Sequence, residues 1–206
     1  MQIPFWTQNG TIDLAALRPE DMSAEVLADT LSKQARFGGR TAVHWPVTSH
    51  LNLVALLCPL NLRPWALLHD ANAAFLGEIM SPALELLCLA GTRAAVENAV
   101  KNARGRLNRQ IGAAWGVAVR SESLTLLQAD RIAVQAEAHV LLGITPVFIT
   151  PTDPEIFAEA VDFIRSEVSH PQASREIWLA AVDHHARLGH MTPPAAPVPS
   201  STVLAG

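Results

Sequence analysis

A chain of 206 residues with 50% hydrophobic side chains is long enough to bury a substantial core within one domain. Its formal charge of −4 excludes the broadly basic surface of a general nucleic-acid binder, so no stable nucleic-acid partner is expected, while an anionic ligand held by a locally positive site stays open. Cys58 and Cys88 lie in apolar surroundings without CxxC or finger spacing and read as buried reduced thiols.

The opening MQIPFWTQNG lacks a positive segment leading into an apolar one, so no secretory signal is expected and the protein reads as soluble and cytoplasmic. Within it, PFWTQNGTIDL places Asn9-Gly10 between two short extended pieces, which predicts a β-hairpin. Ser23 can cap a helix through about Ala35, with Val26, Leu27 and Leu31 inward and Gly38-Gly39 ending it. Thr48 or Ser49 starts a second helix that ends near Pro59, and Pro64 suits the first turn of a third. The apolar stretch Leu51 to Leu68 is broken by Pro59, Asn61, Arg63 and Pro64, so it cannot be one membrane-spanning helix.

The third helix, closed by Gly77 and then Ser81-Pro82, contains WALLHDANAAFLGE. One or two helices follow from Pro82 to about Ala114, another from about Ser123 to Leu142 with Gly143 as its stop, then a proline-bearing loop from Ile144 to Pro154. Two more helices, roughly Pro154 to Val168 and Ala173 to Leu188, complete an all-α domain over residues 1–190 with one small N-terminal hairpin. The tail from Met191 to Gly206, MTPPAAPVPSSTVLAG, is proline-rich and uncharged and is expected to be disordered.

His69 and Asp70 stand side by side in a run that otherwise buries apolar side chains. Buried ionisable groups persist mainly when paired, hydrogen-bonded or bound to a metal. Adjacent helix residues point about 100° apart, so both can reach one ion in a crevice while further ligands come from other helices. His50, near the start of the preceding helix, and Asp130, within the apolar-rich QADRIAVQAEAHVLL, are the candidates. Two imidazoles and two carboxylates make a donor set suited to one divalent Zn, Mn, Co or Fe ion. Each residue alone has an ordinary reading: a hydrogen-bonded His-Asp pair, a histidine at a helix start, an aspartate facing water.

The wording around these positions resembles the HD-domain metal-dependent phosphohydrolases, in particular the small bacterial and phage branch of 5′-deoxynucleotidases and phage dATP phosphohydrolases. That branch reads approximately LSxxxRFxGH, FYSVAxHS, LLHDAxEAYLGDxPxPLK and ADxxxLATE. In the same order this chain has LSKQARFGG from Leu31, HWPVTSH from His44, LLHDANAAFLGEIMSPAL from Leu67 and QADRIAVQAE from Gln128. The resemblance covers roughly residues 6 to 142. It implies an HD-domain helical bundle with His50, His69, Asp70 and Asp130 as ligands of one metal and Arg36 near the substrate. It also implies a dimer or higher assembly. In the family the metal polarises a phosphoryl oxygen and helps activate a water for attack on phosphorus.

Three departures bear on activity. The family glutamate three residues after the HD aspartate is Ala73 here, which removes a proton acceptor of a kind worth on the order of 10²- to 10⁴-fold. The next family acid is Glu78, one methylene longer and the nearest substitute base, and the family's lysine of PxPLK is Leu84. Trp45 and Phe75 could stack on a base near the metal, with core packing as the plainer assumption for both. The stretch TRAAVENAVKNARGRLNR carries Arg93, Lys101, Arg104, Arg106 and Arg109 against only Glu97, either as a solvated helix face or as a contact for polyphosphate or another subunit. His184, His185 and His190 cluster at a helix end, where imidazoles commonly meet the last carbonyls.

Two functions follow as expectations. The first is a phosphohydrolase of (deoxy)nucleoside phosphates, with Asp70 and Glu78 in the catalytic group and Arg36, Trp45 and Phe75 toward the substrate. The second, favoured by Ala73 and Leu84, is a catalytically weakened relative that binds a nucleotide or a partner and regulates.

Overall fold

A computed structural model describes residues 1–8, 10–167 and 171–197. Strands β1 (Pro4–Thr7) and β2 (Gly10–Asp13) pair antiparallel with Thr7 opposite Gly10 and Pro4 opposite Asp13. Gly10 thus belongs to the second strand, while Asn9, the other half of the expected turn, lies outside the described residues. The carboxylate of Asp13 closes the base of the hairpin, its Oδ1 accepting the Ile3 N–H at 2.8 Å and the Ala15 N–H at 2.9 Å.

Helix α1 (Ala24–Leu31) starts at Ser23, whose hydroxyl oxygen accepts the Val26 N–H at 3.4 Å, and it buries Leu27 and Leu31 while Val26 is half-buried. It stops four residues before the expected Ala35, because Ala35 bridges to Pro46 and the Arg36 N–H donates to the Trp45 carbonyl at 2.8 Å. That closure ties residues 36–45 into a loop containing Phe37 at φ 54° and Gly38 at φ 60°. Left-handed backbone costs a non-glycine residue roughly 1 kcal/mol or more, and here it accompanies a turn that buries the Arg36 side chain.

Helix α2 (Val47–Leu57) is buried at every position from Val47 to Ala55, as expected of a helix enclosed on all sides. Around it stand α3 (Arg63–Ala66), α7 (Leu124–Leu142), α8 (Asp153–Ser166) and α9 (Pro171–Arg187), all of which pack on it. The remaining helices are α4 (Ala73–Leu76), α5 (Ser81–Ala90) and α6 (Arg93–Ala114), the last two forming a pair. The architecture is therefore all-α with a small N-terminal hairpin, and among the described residues no helix is long and apolar enough to cross a membrane.

Trp45, Trp65, Trp115 and Trp178 are the largest fully buried side chains. Burying each contributes roughly 4 to 6 kcal/mol of gross hydrophobic stabilisation. Their polar edges are mostly satisfied: Trp115 Nε1 donates to the Met22 carbonyl at 2.8 Å and Trp178 Nε1 to the Leu67 carbonyl at 3.0 Å. The second of these bonds ties α9 to the segment carrying the His-Asp pair.

That segment is not the single helix its spacing predicts. Between α3 and α4, residues 67–72 form tight turns, with the Leu68 N–H donating to the Trp65 carbonyl, Ala71 to Leu68 and Ala73 to Asp70, each at 2.9 Å. These three-residue bonds wind the chain more tightly than an α-helix and lift His69 and Asp70 to the end of α3. The tail departs from expectation at its beginning: Met191 is buried and the Thr192 N–H donates to the Trp115 carbonyl at 2.8 Å. The expected α8 end at Val168 and residues 198–206 of the tail lie outside the described residues.

Candidate metal centre

Three chain segments meet over the middle of the bundle: α2 brings His50, the turn after α3 brings His69 and Asp70, and α7 brings Asp130. His50, His69 and Asp130 offer donor atoms that all lie within 4.8 Å of one another. His50 Nε2 is 3.1 Å from Asp130 Oδ1, and His69 Nε2 is 3.8 Å from the same oxygen. Asp70 stands at the mouth of this group, its Oδ2 being 3.8 Å from each imidazole Nε2. Ligands arranged tetrahedrally about 2.1 Å from an ion stand roughly 3.4 Å apart, so this spacing suits a shared cation.

The far side of each ring fixes what the near side presents. His69 Nδ1 faces the Ala66 carbonyl at 2.7 Å and His50 Nδ1 faces Glu137 Oε1 at 2.9 Å. Both partners only accept, so both Nδ1 atoms donate, and in the neutral rings the lone pair lies on Nε2. Those Nε2 atoms are buried without a hydrogen-bond partner, even His50 Nε2 with its 3.1 Å approach to Asp130. Two orphaned basic nitrogens beside two half-exposed carboxylates fit a divalent cation with remaining positions open to solvent.

The charge balance points the same way. Asp70, Asp130, Glu78 and Glu137 surround the one guanidinium of Arg36 and the two imidazoles. Burial depresses the His50 imidazolium and Arg36 opposes it, yet Glu137 and Asp130 outweigh both and raise its pKa to about 9. Burial likewise opposes the charged form of His69, and Asp70 and Asp130 overcome it and push its pKa up. Asp130 moves oppositely: burial disfavours its anion, but the imidazoles of His50 and His69 close to it hold its carboxyl well below the usual range. These are the signs of a negative cavity that collects positive charge, whether as protons or as a metal.

Arg36 does not present a free guanidinium to a substrate. Its Nη1 donates to Glu78 Oε1 at 2.8 Å and its Nη2 to Glu137 Oε2 at 3.1 Å, and Nη1 lies 3.9 Å from Asp70 Oδ2. Trp45 is fully buried and donates its indole N–H to Glu137 Oε1 at 2.8 Å, so it offers no face to a base. Phe75 is buried in the same core and is equally inaccessible. The structure therefore gives Trp45 and Phe75 the core-packing roles that were the plainer assumption and not the stacking ones toward a substrate, because the loop closure at Ala35–Pro46 and the turn before α4 carry both rings inward.

Glu78 follows the end of α4, with Oε1 on Arg36 and Oε2 buried without a partner. Burial raises its pKa, Arg36 and His50 pull it back, and Asp70 adds to the rise. It combines a positioned carboxylate with an unused acceptor one guanidinium away from Asp70. Ala73 is buried and brings no side-chain polar group; its carbonyl accepts Gln34 Nε2 at 2.9 Å.

Glu137 is the site residue that sequence reasoning left without a role. Fully buried, it receives His50, Trp45 and Arg36 together, and its pKa falls to about 2: burial opposes ionisation, but His50 and Arg36 prevail. It orients the His50 ring from behind, as carboxylates do behind metal-bound histidines. The available signal was its seven-residue spacing from Asp130 inside QADRIAVQAE, two helical turns along one face of α7. No protein-family model matches the chain, and no curated protein matches it.

Proposed function

We propose that this chain is a phosphohydrolase of the HD-domain type that uses one divalent cation to remove phosphate from (deoxy)nucleoside phosphates. The observation that carries the reading is the pair of buried, partnerless Nε2 atoms of His50 and His69 converging on Asp130 with Asp70 at the opening. His50, His69, Asp70 and Asp130 would hold Zn, Mn, Co or Fe, a choice consistent with mixed imidazole and carboxylate donors. When bound, the cation supplies electrophilic polarisation at the phosphoryl group and lowers the pKa of a water to near neutrality.

The chain's own residues do the rest. Glu137 and the Ala66 carbonyl hold the two rings with their Nε2 lone pairs inward. The half-exposed carboxylates of Asp70 and Asp130 form the solvent side, where a phosphate ester would approach. Glu78 Oε2 is the acceptor for the proton of the attacking water, and Arg36 keeps that carboxylate in place. Arg36 thereby serves as a positioning residue, tying Glu78, Glu137 and Asp70 into one network.

A second reading, a metal-holding module that binds nucleotide or a partner without turnover, draws on Ala73, whose methyl group puts no carboxylate beside Asp70. One experiment separates the two: measure metal in the purified protein, then screen nucleoside mono- and triphosphates for phosphate release with Mn, Co and Zn. Bound metal with turnover that disappears in Asp70→Ala supports the hydrolase. Bound metal with every nucleotide inert supports the module, and failure to bind any of these metals refutes both.

A further inference from the structure

The positive residues of α6 are solvated, Lys101, Arg106 and Arg109 being exposed and Arg104 half-buried, and several of them also line a groove. Lys101, Arg104, Gly105, Asn108 and Arg109 recur at helical spacing and line a groove of about 1480 Å³. Its opposite wall is residues 119–123, which bring in Arg120. That wall can approach because residue 112 is glycine: a Cβ there would meet the Val117 carbonyl oxygen at 2.8 Å.

Charge in the groove is largely uncompensated, although the whole chain is at −4. No carboxylate among the described residues pairs with Lys101, Arg109 or Arg120, and Arg104 and Arg106 spend single donors on the carbonyls of Ile79 and Ala15, which leave their charge intact. Of the two acids lining it, Glu97 is already paired with Arg93 at 2.9 Å, which leaves Glu122. None of the described lining residues is aromatic, so the groove has no platform on which bases would stack, as single-stranded nucleic acid requires. From Lys101 to Arg109 the cations extend roughly 12 Å along the helix, more than one phosphate can bridge. Two hydrogen bonds connect the groove to the segments that carry the candidate metal centre. Asn108 accepts Asn72 Nδ2 at 3.0 Å two residues beyond Asp70, and Arg104 Nη2 donates at 3.1 Å to the carbonyl of Ile79, next to Glu78.

We infer that the α6 groove binds a linear oligophosphate, lying along Lys101, Arg104, Arg109 and Arg120. Binding in the groove does not depend on the hydrolase reading of the neighbouring site.

The probe is inorganic tripolyphosphate, titrated calorimetrically into chelator-treated full-length protein, with orthophosphate as comparison. Saturable binding at one site is expected, with orthophosphate at least tenfold weaker. Lys101→Gln and Arg109→Gln should each weaken it about tenfold, the scale of one charge-assisted hydrogen bond. Arg165→Gln on α8 should leave it unchanged. Equal binding by wild type and the Lys101→Gln, Arg109→Gln, Arg120→Gln triple variant would overturn the inference. Tighter binding of an oligo-thymidine strand than of tripolyphosphate would overturn it too, since the ligand would then be nucleic acid. If tripolyphosphate binds as expected but neither it nor any nucleotide is hydrolysed with added metal, the groove stands and the hydrolase reading falls.

Discussion

Glu137→Gln is the sharpest test of how the site is held together, because the change keeps shape and removes only charge and one acceptor. Glu137 Oε1 receives His50 Nδ1 at 2.9 Å and Trp45 Nε1 at 2.8 Å, and Oε2 receives Arg36 Nη2 at 3.1 Å. An amide can place its oxygen at only one of these positions. With oxygen toward His50 and Trp45, the NH₂ faces the guanidinium donor to donor; reversed, it faces two ring N–H groups. The first arrangement is favoured because Arg36 keeps Glu78 at 2.8 Å. The loss is then one buried charge-assisted pair, about 3 kcal/mol.

Metal affinity should fall separately by roughly 10- to 100-fold, since His50 loses the anion behind it that raises its basicity. Urea denaturation of the metal-free protein reads the first effect, and zinc competition against a chromophoric chelator reads the second. Lower stability with unchanged zinc affinity would refute the assignment of His50 as a ligand. Unchanged stability would refute the buried network itself.

The sequence carried the candidate site residues more faithfully than their setting. His50, His69, Asp70 and Asp130 were singled out because ionisable residues stand out in apolar runs and because the wording around them resembles a known family; His50, His69 and Asp130 meet in the bundle with Asp70 beside them. The turn holding His69 and Asp70 was not recoverable as a turn. LLHDANAAFL has neither glycine nor proline to mark a break, and its tightening shows only in three-residue hydrogen bonds. The inward placement of Trp45 and Phe75 was the plainer expectation for both, but the contacts that produce it were hidden. Burial of an aromatic ring depends on which helices surround it, and that is set by contacts such as Ala35 to Pro46 that no local pattern encodes. Glu137 lay between these cases: its register with Asp130 was legible, but its partners on α2 and in the loop before it were not.

Further predictions follow from the same network. With His50 raised from 6.5 to about 9, the metal-free protein should be most favoured by this group below pH 6.5 and lose up to about 3 kcal/mol as pH rises through 9, read as a falling urea midpoint that saturating zinc restores. Glu137, lowered from 4.5 to about 2, works in the opposite direction, its stabilisation present above pH 4.5 and lost as pH falls toward 2. Burial pushes the Cys58 thiol up to about 11, so a thiol reagent at pH 8 should modify it only after urea unfolding; rapid reaction of the native protein would contradict its enclosure. The last prediction concerns the missing carboxylate. In a tight turn closed by the Ala73 N–H on the Asp70 carbonyl, side chains three residues apart eclipse, so a glutamate at position 73 should extend alongside Asp70. Ala73 is only 6% exposed, so Ala73→Glu should destabilise the fold by roughly 1 to 3 kcal/mol while raising phosphohydrolase turnover by a factor on the order of 10 or more. Glu78→Gln in the natural sequence should lower turnover, and in Ala73→Glu it should matter less, because the new carboxylate takes over the proton. Steady-state rates of the two single variants and the double variant decide the point. Equal losses from Glu78→Gln with and without glutamate at position 73 would mean that Glu78 acts through Arg36 on the network and accepts no proton itself.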